Sequence, residues 1–456
     1  MEKNNQFNLI VIGAGPGGYN AAVKAAQNGL SVAVVESASV GGVCLNWGCI
    51  PTKALLKSVQ AMHYASSGAD YGFTADNIKP DIDKIFSRSR EVSATMSKGI
   101  DFLFKKNNVN VINGLAVLTA DKQIDVTDDD GNSVVYSADN IIIATGSRPA
   151  SLPFAQIDAD KIWCYRQALM PPFFPRSMAI IGSGAIGTEF AFFYRSLGVE
   201  VTIIEFMDRV LPIEDNDVCA QVSRNLRKIG INVMTSSAVQ SVEKGNLCKL
   251  VVKTKKGEEI IEAEVVLSAV GVIPNTDALG LEKLGVKTER GKITVDSNYQ
   301  SSVAGVYAVG DVIATPALAH VASAEAEACV DAILGKEVHS INYGSIPGCT
   351  YISPEVASAG MREREAIEKG IDYKVSRYQF SANGKATAAG ERDGFVKVIS
   401  DTVSGKLLGV HMVGANVSEM IAGMVMALNA GLTLEQLAHS IFPHPTMSEA
   451  ICDACK

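Results

Sequence analysis

"FNLIVIGAGPGGYNAAVKAA", residues 7–26, decides the fold. An apolar run reads as a buried strand, breaks at Gly13, Gly15 and Gly18, and passes into an alanine-rich helix. "SVAVVE" at 31–36 follows as a second strand closing on Glu36. Each glycine has a physical reason: the first permits a tight turn, the second lets backbone approach a pyrophosphate, and the third lets helix and strand pack closely. The N-terminus of the helix then offers free N–H groups and a positive dipole end to phosphate.

The pattern recurs. "SMAIIGSGAIGTEFAFFYRSLGVEVTIIE" at 177–205 carries Gly182, Gly184 and Gly187, a helix, and a strand ending in Glu205. In both copies the acidic residue stands 18 positions after the last glycine. Two such units predict an α/β chain with two Rossmann-like dinucleotide-binding domains. A carboxylate at the end of the second strand accepts hydrogen bonds from ribose hydroxyls and repels a 2′-phosphate, so Glu205 favours NAD over NADP.

Between and after the units the pattern loosens. An amphipathic helix is expected near Asp83 to Lys106, and strands with Gly/Asp turns from about Val109 to Val135. The buried strand Ile141 to Ala144 ends in Thr145 and Gly146, where the chain leaves the first domain. The last hundred or so residues read as an α+β domain with a helix near Ser418 to Ala430. The expected boundaries are 1–149, 150–271, 272–340 and 341–456.

Bulk properties exclude several classes of function. At 456 residues and 47 % hydrophobic the chain should bury large cores, and a net charge of −8 argues against nucleic acid or an anionic membrane as partner. No apolar stretch reaches membrane-spanning length, and the run from Phe7 to Ile12 is too short for a signal peptide. Nine cysteines without a secretory signal suggest a reducing compartment, so a cytoplasmic location is expected. No His or Cys spacing is regular enough to predict a zinc site, and no metal is expected.

"GGVCLNWGCIPTKALL" at 41–56, both glycine motifs, "ATGSRP" at 144–149, "VYAVGD" at 306–311 and "HPTMSE" at 444–449 resemble the flavoprotein disulfide reductases, in this order and over nearly the whole chain. Within them the likeness is to the branch that oxidises lipoyl dithiols. The resemblance implies FAD in the first domain, with Glu36 on its adenosine ribose and Asp311 on its ribityl or pyrophosphate side. It also implies FAD contacts at Thr145 and Gly146, backbone contacts to FAD near Ala116 and Ala319, and contacts to NAD near Val239 and Gly271. Segment 272–340 would complete the FAD site, and 341–456 would form the homodimer interface.

The chemistry implied by that resemblance centres on Cys44 and Cys49. So short a disulfide ring removes little unfolded-chain entropy, which suits a bond made to open. Cys44 would exchange with substrate and Cys49 would lie against the flavin. Lys53 would stand beside the ring with Glu189 as counter-charge, since a buried ammonium without one drifts towards neutrality. His444 would be the acid/base, because neutral imidazole is matched to thiol deprotonation near pH 7. Glu449 would orient it, and the ring would serve the cysteine pair of the other subunit. The expected partner is a lipoyl domain of a 2-oxo acid dehydrogenase or glycine cleavage complex. The alternatives are an NAD(P)H-dependent reductase of glutathione or another disulfide, and a flavoprotein acting mainly as a docked subunit.

Three features depart from the family pattern. Trp47 lies inside the redox loop, Val272 stands where arginine is usual, and Cys452 and Cys455 form a terminal C-x-x-C. The tail pair reads as incidental, as a second redox shuttle, or as a metal-capturing pair.

Overall fold

A computed structural model describes residues 5–456. The chain divides into two compact units. The first gathers the chain up to Ala54, Ile82–Ala150 and Val272–Ile341; the second gathers Leu55–Asp81, Ser151–Gly271 and Asn342–Lys456.

The first unit is built on a seven-stranded sheet. Its parallel part runs Asn110–Asn113, Val32–Glu36, Gln6–Ile12, Ser133–Ile143, with Val306–Ala308 also pairing the end of Ser133–Ile143. Gln123–Thr127 and Leu115–Leu118 extend it antiparallel. Strands covered on both faces need unbroken apolar runs rather than alternation, and Leu9, Ile10, Val11, Ile141, Ile142 and Ile143 are all fully buried. Each such side chain contributes about 1.5–3 kcal/mol over leaving it in water.

Four helices carry or flank the first glycine turn and the two cysteines, α3 belonging to this unit only as far as Ala54. α1 (Pro16–Gln27) leaves the first glycine turn. α2 (Gly42–Trp47) and α3 (Cys49–Ser66) are separated only by Gly48. α4 (Ile82–Lys106) buries Ile85, Phe86, Ser89, Ser93, Ile100 and Phe104, the stripe that the 3.6-residue period predicts.

The second unit holds a five-stranded parallel sheet in the order Asn232–Met234, Glu200–Ile204, Ser177–Ile181, Val265–Ser268, Ile162–Trp163. It also holds an antiparallel three-stranded sheet over Ala238–Ala263 and a five-stranded antiparallel sheet from Gly348–Thr350 to Leu407–Gly414. The helix Val417–Asn429 packs on that last sheet. The two Rossmann-like halves and the α+β end are the fold class the sequence predicts.

Candidate functional site

The six motif glycines separate into two kinds. Gly13 and Gly182 have φ of +101° in each case, where a side chain is strained, and a Cβ there would meet a carbonyl oxygen at 2.4 Å. On Gly18 a Cβ would meet Gly13 O at 1.8 Å, and on Gly187 it would meet Gly182 O at 2.2 Å. The protein itself requires these four. Gly15 and Gly184 are different: their φ values are −73° and −65°, and a Cβ would touch only Gly42 Cα at 3.9 Å on the first and nothing within 4 Å on the second. Neither backbone strain nor packing demands glycine there, and the space beside each Cα is open.

Beside the first turn lies a cavity of about 380 Å³ lined by Gly13, Glu36, Ala116, Thr145 and Asp277, among others. Glu36 is anchored at its mouth by the N–H groups of Ala14 at 2.7 Å and Ala38 at 2.8 Å. Thr145 donates to Asn275 O at 2.7 Å, and Gly146, at φ +66°, begins the exit strand Ser147–Pro149 that pairs with Val272–Pro274. Asp311 accepts from Ser147 Oγ at 2.5 Å, and Ala319 is the first residue of the helix Ala319–Ile333.

In the second unit Glu205 is 6 % exposed and its carboxylate accepts from Ser183 N at 2.8 Å, Ser183 Oγ at 2.7 Å and Met207 N at 2.7 Å. It therefore holds its own glycine turn. Val239 sits at a bulge in the three-stranded sheet, and Gly271 has φ +110° with nothing within 4 Å of its missing Cβ. The anchors Ala14, Ala38, Ser183 and Met207 have no signature in the sequence. Backbone donors leave no compositional trace.

Cys44 lies within α2 and Cys49 opens α3, so the helix break at Gly48 brings the two thiols together. Both are free thiols here. A hydrogen bond with Cys49, followed by burial, pushes the Cys44 thiol far above its ordinary value. Tyr19 on α1, which no spacing in the sequence singles out, is near enough that both sulfurs add to the effect of burial in raising its pKa. Lys53 stands one turn after Cys49 on α3 and acts electrostatically on Cys44.

His444 and Glu449 form the other reactive pair. His444 Nδ1 lies 2.9 Å from Glu449 Oε1, and Thr446 N donates to Glu449 Oε2 at 2.8 Å. The Thr446 N–H first and His444 second hold the Glu449 carboxyl below its usual range. Glu189 is 3 % exposed, and its Oε1 accepts from Tyr351 N at 2.9 Å.

Residues 7–326 match the pyridine nucleotide-disulphide oxidoreductase domain, and 346–455 match the dimerisation domain of the same family. The chain belongs to the pyridine nucleotide-disulphide oxidoreductase family. Among members of that family, the dihydrolipoyl dehydrogenase of Rhizobium etli is 47 % identical, over 98 % of this chain and 97 % of that protein. The dihydrolipoyl dehydrogenase of Zymomonas mobilis is 45 % identical over the same shares. The crystal structure of LpdA from Mycobacterium tuberculosis superposes with a TM-score of 0.91 at 28 % identity, covering 98 % of this chain and 99 % of that one.

Membership of this oxidoreductase family implies FAD and NAD(H), and the residues present fit both: two turns each leave a glycine open to a pyrophosphate, and each presents an anchored carboxylate at the end of its second strand. No described helix is long and apolar enough to cross a membrane.

The second unit holds two further clusters. Asp215, Asp217 and Glu363 converge closely enough to hold a cation, but Lys397 Nζ already stands 2.7, 2.8 and 2.7 Å from them. An ammonium fills that position. In the tail, Cys455 is buried, and burial with its neighbour Cys452 pushes its thiol up to about 12.

Proposed function

We propose that this chain oxidises dihydrolipoamide carried on a lipoyl domain and reduces NAD+, using Cys44 and Cys49 as an opening disulfide. The observation that carries the reading is the thiol pair itself: two sulfurs in hydrogen-bond contact across a one-residue helix break. A pair so placed changes between dithiol and disulfide with little backbone motion.

In the proposed cycle His444 Nε2 takes a proton from one substrate thiol, and Glu449 stabilises the imidazolium. The substrate thiolate attacks Cys44 Sγ in the disulfide and Cys49 leaves as thiolate. The second substrate sulfur then displaces Cys44, giving the cyclic disulfide and the enzyme dithiol; two electrons and two protons have left the substrate. FAD, when bound, supplies a two-electron relay from that dithiol to NAD+. Lys53 provides a fixed positive charge on the flavin side with Glu189 as its counter-charge, and His444 of one protomer serves the pair of the other. The contacts named for FAD (Gly13, Gly15, Gly18, Glu36, Ala116, Thr145, Gly146, Asp311, Ala319) and NAD (Gly182, Gly184, Gly187, Glu205, Val239, Gly271) belong to the same reading. The lipoyl domain is that of a 2-oxo acid dehydrogenase or glycine cleavage complex. Nine free cysteines fit a reducing cytoplasm.

The test is a steady-state assay of the purified holoenzyme with dihydrolipoamide and NAD+, beside NADPH with glutathione. Turnover with the first pair and none with the second is expected. Cys49→Ser should abolish lipoamide turnover while leaving flavin bound; full turnover by that variant would overturn the assignment.

A further inference from the structure

α4 runs along the segment that carries both sulfurs, and its polar residues hold that segment through its backbone carbonyls and the Asn46 side chain. Arg88 donates to Ala54 O at 2.9 Å, Ser89 to Pro51 O at 3.0 Å, and Ser97 to Asn46 Oδ1 at 3.0 Å. The central contact is Arg90. Its Nη1 donates to Asn46 O at 2.7 Å, and the guanidinium lies 4.8 Å from the centroid of the Trp47 ring. Nη2 continues to Ser93 Oγ at 3.1 Å, and the buried Nε has no hydrogen-bond partner among the described residues. A guanidinium with one edge bonded and its face on an indole is fixed in both position and plane.

The place of this contact gives it meaning. α2 ends at Trp47, so the carbonyl of Asn46 is one of the orphan acceptors that a helix end leaves, and an arginine is a common partner for it. Asn46, Trp47 and Gly48 make up most of the span between the two cysteines. Gly48 folds back tightly: a Cβ there would meet Val43 O at 3.1 Å and Cys44 Cα at 3.3 Å. The separation of the sulfurs is thus set by how α2 stops, and Arg90 is what grips that stop from outside.

We infer that Arg90, stacked on Trp47, is a positioning residue that holds Cys44 and Cys49 at disulfide-forming distance in the reduced state and thereby sets the redox equilibrium of the pair. The inference rests on the redox role proposed above for these cysteines. A dithiol kept near the narrow geometry of a disulfide gains little freedom when the bond opens, which favours the closed form. Without the grip the two thiols drift apart, reduction gains conformational freedom, and the pair becomes easier to reduce.

The experiment compares wild-type holoenzyme with Arg90→Met, Arg90→Lys and Trp47→Phe. The pair is equilibrated against graded mixtures of reduced and oxidised dithiothreitol and free thiols are trapped and counted, while flavin content and circular dichroism report folding. Arg90→Met should shift the dithiol/disulfide equilibrium about tenfold towards the dithiol, a rise of about 30 mV for a two-electron couple. Arg90→Lys keeps the charge without the planar fork and should fall between Met and wild type; Trp47→Phe should shift in the same direction by less. Wild-type midpoints in Arg90→Met and Trp47→Phe, or a shift towards the disulfide, would overturn the inference. Should Arg90→Met lose its flavin or its fold, Arg90→Lys and Trp47→Phe decide alone by the same criterion. A wild-type enzyme whose Cys44 and Cys49 never titrate together would instead remove the redox reading underneath.

Discussion

His444 Nδ1 and Glu449 Oε1 stand 2.9 Å apart on the two sides of a short turn, with the imidazole 78 % exposed and the carboxylate 26 % exposed. The carboxylate is anchored by Thr446 N, and the ring is anchored by the carboxylate. The imidazole is thus the exposed partner, and its orientation comes from the sheltered carboxylate.

His444→Gln should lower kcat for dihydrolipoamide by about 10²–10⁴-fold, the range for losing a general base. Glu449→Gln should lose less, since the ring survives and only its orientation and charge stabilisation suffer. Flavin content should be unchanged in both, and stopped-flow reduction by dihydrolipoamide locates the loss in the thiol step. Equal kcat in wild type and His444→Gln would count against this assignment.

The glycine geometry separates ligand from fold. Gly184→Ala meets nothing within 4 Å and should fold normally while weakening NADH binding. Gly187→Ala drives a Cβ to 2.2 Å from Gly182 O and should lose stability, by about 1–3 kcal/mol as overpacking does. Thermal denaturation and NADH titration of both variants check the contrast; matching profiles would contradict it.

Glu205→Ser should narrow the preference for NAD over NADP by about tenfold or more in kcat/KM, because the charge that repels a 2′-phosphate is gone. Because Ser183 and Met207 lose their buried acceptor, some stability should go with it. An unchanged ratio of the two coenzymes would refute the ribose role.

Lys397 is fully buried among Asp215, Asp217 and Glu363, and Arg377 also pairs with Asp217. Lys397→Met leaves the buried Asp215 without its ammonium partner and should cost about 3–5 kcal/mol in urea unfolding. Burial pushes Asp215 and Asp217 up, but Lys397, together with His411 and the Glu363 N–H at Asp215 and with Arg377 at Asp217, outweighs it and their pKa values are lowered. Their contribution is thus present above the unfolded carboxylate pKa of about 3.9 and is lost as pH falls through the lower folded values. Burial alone would lower Lys397, yet the three carboxylates raise it, so its share is full below about pH 10 and is lost as pH rises through the folded value. The stability gap between wild type and Lys397→Met should be widest near neutrality and shrink in acid; a gap independent of pH would contradict the cluster's role.

Much of the site was legible because chemistry with strict local demands writes itself into short spacings. Gly13, Gly15 and Gly18 announce a phosphate turn, and Cys44 with Cys49 announces a sulfur pair, since each motif lies within a few residues of chain. Trp47 was visible only as an oddity within the redox loop. Its meaning came from Arg90, 43 positions later on a helix whose sequence shows an apolar stripe and nothing of what its polar face grips. Lys397 was invisible for the same reason: its three carboxylate partners come from Asp215, Asp217 and Glu363, scattered over two sequence-distant segments.

What the amino-acid order determined by itself was the pair of βαβ units and the α+β end, because strand, turn and helix are set by near-neighbour sterics and hydrophobic period. Only the tertiary structure decided which motif glycines the chain's own packing demands and which it does not, that Glu205 braces its own turn, that an ammonium fills the three-carboxylate cage, and that α4 grips the stop between the cysteines. Those facts depend on distances between remote residues, and distance through space is settled by packing rather than by position along the chain.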